Sequence, residues 1–198
     1  MNLRKIAGEL GIAIAASLCV MALMCSQGTA SASATTTQGK QGYPNTKAPS
    51  SVIGDGKYHV LSNNSASLVL QAEGSCTDSV STLDIDKRSN NPYYQNQQLW
   101  MFTQNPDGTV TVSDRCVYGN GRPSAVLTGH DGGTVDLRAP ASGLAGQKWK
   151  VSEASGVLTI TDAAYGKALD SAGTSAGSSV LETTPDANST TQRWNVVS

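Results

Sequence analysis

An all-β chain assembled from three like units is what this sequence predicts, and three observations carry the prediction. Gln-x-Trp occurs three times, as Gln98-Leu99-Trp100, Gln147-Lys148-Trp149 and Gln192-Arg193-Trp194, and these hold the only tryptophans of the 198 residues. Their spacing of 49 and 45 residues marks an internal repeat. Short β-rich runs bounded by Gly, Asn, Asp or Ser follow one another, and no stretch sustains a helical stripe. The composition agrees: hydrophobic residues make up 38%, charged residues 15%, and there are 20 glycines, which suits short strands and many polar turns.

The chain opens with an expected export signal over residues 1–34. Arg4 and Lys5 form a basic start, an apolar stretch runs from Leu10 to Met24, and Ala-Ser-Ala steps follow at 30–34. An uncleaved membrane anchor is the other reading, but that stretch is short against the ~20 apolar residues a span needs. Cleavage takes the net charge from −1 to −2 and leaves Cys76 and Cys116. In an exported protein two cysteines read as a disulfide, with a pair of buried thiols as the alternative. Closing that ~40-residue loop contributes roughly 4 kcal/mol on chain-entropy grounds. Residues 35–53 form a Pro-, Ser- and Thr-containing leader with little to bury, expected to be flexible.

From Gly54 the strand pattern takes over. Tyr58–Leu61, Thr109–Val112 and Leu158–Thr161 are β-rich. Leu68–Gln71, Ala125–Thr128 and Lys167–Asp170 align, and so do Thr82–Ile85, Thr134–Leu137 and Ser179–Glu182. Each Gln-x-Trp leads into a further strand. Four strands per repeat give twelve, with the segment at Tyr58 supplying the one the third repeat lacks after Trp194. A unit of ~45 residues cannot bury its own apolar face, whereas three around an axis share one core. Six strands can then close a barrel and three hairpins cap it, leaving few edges.

These motifs resemble the ricin-B-type (R-type) lectin family, over Gly54 to Ser198. The resemblance implies a β-trefoil: three pseudo-symmetric four-strand repeats, twelve strands. It also implies sugar-contact positions. Family members that bind sugar carry an Asp after the first apolar pair of a repeat, an aromatic platform on the next strand, and an Asn before the motif Gln. Here the Asp position holds Gln71, Thr128 and Asp170; the aromatic position falls near Asp86, Arg138 and Thr183; and Gln97, Gly146 and Thr191 precede the motif. Asp170 with Gln192 is therefore the candidate carbohydrate-binding pair, the alternative being a turn Asp. Tyr93, Tyr94 and Tyr118 offer a displaced platform, or else cover the core.

No catalytic set is suggested around the two histidines, His59 and His130, so the expectation is a non-enzyme. Metal-ligand spacings are absent and no cofactor is implied. A near-neutral charge excludes broad attraction to nucleic acid, and no membrane is expected for the mature form. The resulting expectation is a secreted, non-catalytic binding module for carbohydrate or a cell-surface glycan. The alternative is a protein–protein adaptor of a secreted complex, such as a toxin particle, that uses the leader with Lys40, Tyr43 and Lys47. A trefoil-type protease inhibitor is a minor third.

Overall fold

The computed structural model describes residues 51–74, 81–116 and 124–197. Twelve strands run through them: β1 Val60–Asn63, β2 Val69–Ala72, β3 Leu83–Asp86, β4 Trp100–Gln104, β5 Val110–Asp114, β6 Val126–Gly129, β7 Val135–Arg138, β8 Trp149–Ala154, β9 Val157–Asp162, β10 Ala168–Ser171, β11 Ser178–Thr183 and β12 Trp194–Val197. Each strand that the sequence places is found, displaced by a residue or two. One element was not foreseen, a helical turn α1 over Pro92–Gln95 that runs into a 3-10 turn at Asn96–Gln98.

Six strands close a ring. β1 pairs with β12, β12 with β9, β9 with β8, β8 with β5, and β5 with β4. The bridge between His59 and Trp100 then joins β4 back to the residue before β1. The segment Val60–Asn63 thus lies against β12 and closes the ring, in the register Val60 opposite Val197 and Asn63 opposite Trp194. Three hairpins, β2–β3, β6–β7 and β10–β11, form the other layer. They are stitched to one another by β3–β11 pairing and by the bridges Ser81–Leu137 and Thr134–Leu181.

The repeat repeats its contacts. Trp100, Trp149 and Trp194 are fully buried, and their indole N–H groups donate to the carbonyls of Leu70, Leu127 and Leu169 at 3.0, 3.0 and 3.2 Å. A buried indole needs such an acceptor, and β2, β6 and β10 present it at the same place each time. Opposite the three rings stand Asp114, Asp162 and Asn63, all fully buried. Leu61, Val112 and Ile160 fill the barrel core beside the rings, with Leu70, Ile85, Leu127, Leu137 and Leu169 from the hairpins. The β8–β9 hairpin turns through Ser155 and Gly156, both at positive φ (54° and 80°), the two-residue turn whose twist matches the strands.

Packing begins ahead of Gly54. Val52 is buried, its N–H donates to the Glu153 carboxylate at 3.3 Å, and Ile53 bridges Phe102. Cys116 is buried and disulfide-bonded, while Cys76 lies outside the described residues. The expected signal, and the leader up to Ser50 with Lys40, Tyr43 and Lys47, lie outside the described residues, as does Tyr118; the expectation of flexibility fails for Val52 and Ile53, which pack on the barrel.

Candidate functional site

The motif glutamines occupy three equivalent places. Each side chain reaches back to the strand end of its own hairpin and clamps the turn that follows. Gln98 donates to the Lys87 carbonyl (2.9 Å) and to Gln71 Oε1 (2.6 Å), and accepts from the Ser89 N–H (2.9 Å). Gln147 donates to the Ala139 carbonyl (3.0 Å) and Thr128 Oγ1 (3.2 Å), and accepts from the Ala141 N–H (2.9 Å). Gln192 donates to the Thr184 carbonyl (3.0 Å) and accepts from the Asp186 N–H (2.8 Å). The motif is thus a structural clamp in all three repeats, and what differs is the side chain it meets on β2, β6 or β10.

In the third repeat that side chain is Asp170. Its Oδ2 accepts from Gln192 Nε2 at 3.1 Å and from the Thr183 hydroxyl at 2.6 Å, and that hydroxyl accepts in turn from Gln192 at 2.7 Å. Asp170 and Gln192, paired from sequence, are therefore brought together, with Thr183 at the aromatic position as the third member. Asp170 Oδ1 is buried without a hydrogen-bond partner. A pocket of about 290 Å³ opens beside Gln192, lined also by Thr159, Pro185, Asp186, Ala187 and Arg193; Asp170 is not part of its wall.

The second repeat is closed by charge instead. Arg138, at the aromatic position, forks onto Asp136 (2.9 and 2.7 Å), which also takes His130 Nε2 at 3.0 Å. Burial works against the Asp136 carboxylate, yet these hydrogen bonds and the charges of Arg138 and His130 hold it below its ordinary value. A groove of about 440 Å³ with Gln147, Leu144 and the Lys148–Asp107 ion pair on its wall lies nearby. The other histidine, His59, pairs with Asp55 at 3.1 Å.

The first repeat presents the aromatics. Tyr93 and Tyr94 do not cover the core: they stand 54% and 48% exposed on α1, edge to face with ring centroids 5.2 Å apart. Asp86, at the aromatic position, contributes no ring.

Sequence reasoning missed a buried acid pair. Glu182 occupies the place on β11, opposite Leu169, that Ile85 takes opposite Leu70 and Leu137 opposite Leu127. Both of its carboxylate oxygens and Asp162 Oδ2 are buried. Burial first, then the charge and hydrogen-bonding geometry of Asp162, push the Glu182 carboxyl up to about 8; Lys167 and the His130 backbone pull the other way. The pair fits because Gly129 has no side chain: a Cβ there would lie 2.3 Å from Glu182 Oε1 and 2.4 Å from Asp162 Oδ2. The signal was present in the aligned repeats, where Glu182 falls level with Ile85 and Leu137.

No known family profile matches the sequence, and no curated protein matches it. Among solved structures, the designed three-fold symmetric protein ThreeFoil is similar with a TM-score of 0.60 at 20% identity, over 71% of this chain and 98% of that one. The exo-β-1,3-galactanase 1,3Gal43A of Clostridium thermocellum gives 0.58 at 21% identity over 73% of this chain; the chain spans only 31% of that enzyme. The C-half of the earthworm R-type lectin, in complex with GalNAc, gives 0.55 at 15% identity over 71% of this chain and 97% of that one. At these identities the likeness carries the architecture: this chain is a β-trefoil, similar in fold to the R-type lectins.

Proposed function

We propose that this chain is a secreted, non-catalytic module that recognises carbohydrate, with Asp170 and Gln192 at its third-repeat site. The observation that supports the reading is the Asp170–Thr183–Gln192 network, which holds a carboxylate against the motif glutamine on an R-type-like trefoil, next to a pocket of about 290 Å³. A carboxylate accepts bonds from adjacent sugar hydroxyls without reorganising if its own orientation is already set, and Thr183 and Gln192 set it. Glycan-array binding of the exported protein and of Asp170→Asn tests this. Binding to at least one glycan, weakened about tenfold (~1.4 kcal/mol) by the substitution, is expected. Absence of binding, or equal binding by the variant with an unchanged melting curve, removes the reading.

A second reading, an adaptor of a secreted complex, is favoured by one feature. Val52 and Ile53 are tied to Glu153 and Phe102, so the chain arriving from the leader is anchored at a set point on the barrel. In this reading Lys40, Tyr43 and Lys47, which lie outside the described residues, contact the partner. Co-purification from culture medium with and without residues 35–50 separates the two; a monomer in both cases removes the adaptor.

A further inference from the structure

Resting on the carbohydrate reading, we propose that Tyr93 and Tyr94 form a second sugar-stacking platform on the first repeat, for a pyranose, working without Asp170. The segment that carries them is an insertion. From the turn N–H clamped by the motif glutamine to that glutamine is nine residues in the first repeat and six in each of the others. The three additional residues fall where α1 forms, away from the aromatic position at Asp86, so the platform is built by lengthening a turn.

The turn is held rigidly for so short an element. Pro92 sits in its first turn, Asn91 caps it by accepting from the Tyr93 N–H at 3.0 Å, the Ser89 hydroxyl accepts from the Asn91 N–H at 3.1 Å, and Gln95 donates to the Ser89 carbonyl at 3.2 Å. Neither tyrosine is buried by this framework. It keeps two large rings at an interplanar angle of 89°, each about half exposed, when a flexible loop would let them collapse onto the surface. Held rings lose little entropy on binding, and their faces suit the apolar C–H face of a sugar ring.

Gln95, on the same turn, also lines a pocket of about 110 Å³ with Ser89, Gln98, Leu99, Val60 and Arg88. That volume takes a ring substituent or a few waters, well short of a drug-sized ligand. Ser89, Gln95 and Gln98 put hydrogen-bonding groups on this wall, with Arg88 as its charged member. Neither tyrosine lines that pocket, so the platform rests on the two exposed rings and the capped turn that carries them.

Affinity electrophoresis of the exported protein through gels containing β-1,3-galactan, β-1,3-glucan or mannan tests the platform. The wild type is expected to be retarded in at least one gel. In that gel Tyr93→Ala/Tyr94→Ala should weaken apparent affinity tenfold or more, while Tyr93→Phe/Tyr94→Phe keeps most of it because stacking needs the ring and not the hydroxyl. Asp170→Asn should leave a retardation that the double alanine variant lacks. Wild-type protein retarded in none of the gels overturns the platform and counts against the carbohydrate reading with it. Retardation unchanged in the double alanine variant overturns the platform alone.

Discussion

Glu182 shows how one side chain departs from the symmetry around it. At a place where the other repeats put Ile85 and Leu137, it sets a carboxyl against Asp162, with Lys167 and the His130 backbone the other polar groups facing it. With its carboxyl pushed up to about 8, Glu182 keeps its proton at neutral pH and can donate it to Asp162. In the unfolded chain the same carboxyl ionises in the ordinary range. Its contribution to stability is therefore fully present below that range and is lost as pH rises through about 8. Asp114, raised to about 7 by burial, and Asp84, raised to about 6 by burial and by the charges of Glu73 and Asp86, slope the same way at lower pH. Urea denaturation should find the protein less stable at pH 8 than at pH 5. Glu182→Gln should flatten part of that slope and gain about 2 kcal/mol at pH 8. An unchanged slope would remove the buried acid from the account. A second residue-scale consequence concerns Gly146, where a Cβ would lie 2.1 Å from the Gly129 carbonyl oxygen. Gly146→Ala must move backbone, and a loss of about 2 kcal/mol or more in the same assay is expected; a neutral result would show that the two glycines need not be so close.

Among elements, the Gln-x-Trp strand entry is the unit that recurs. Its tryptophan anchors the strand to the opposite hairpin layer, and its glutamine pins the turn between hairpin and barrel. Gln147→Ala would leave the Ala141 N–H and the Ala139 carbonyl without their present partner. A loss of about 1–3 kcal/mol in equilibrium unfolding is expected, with little change in glycan binding, since Asp170 lies in another repeat. The same variant losing less than a few tenths of a kcal/mol would mean that water replaces the clamp. The motif and its spacing were legible in the chain, and so was the pairing of Asp170 with Gln192. The exposed tyrosine turn was not, because Tyr93 and Tyr94 offer the same apolar surface to a core or to solvent. Only the capped turn at Asn91–Gln95 decides between them.

At the level of the whole molecule, ring closure sets the cooperativity. Among the described residues β12 pairs with β9 on one side and with β1 on the other, and His59 completes the ring to β4. Starting the chain after Asn63 should open the barrel and abolish a cooperative melting transition. Starting it at Gly54 keeps the ring and loses the packing of Val52, which should cost about 2 kcal/mol. A shortened chain beginning at Asn64 that still melts sharply would show that the ring is not what holds the repeats together.

By itself the sequence determined the all-β class, the threefold repetition, the twelve strands and the closure of the barrel by the segment near Tyr58. Those follow from periodicity and turn chemistry, which act over a few residues and are written locally. Tertiary structure alone decided that Val52 and Ile53 pack with the barrel, that Thr183 binds Asp170, that Tyr93 and Tyr94 face outward, and that Glu182 meets Asp162. Each depends on which distant backbone approaches a side chain, and burial of a charge or exposure of a ring is a property of that approach, not of the residue's neighbours in the chain.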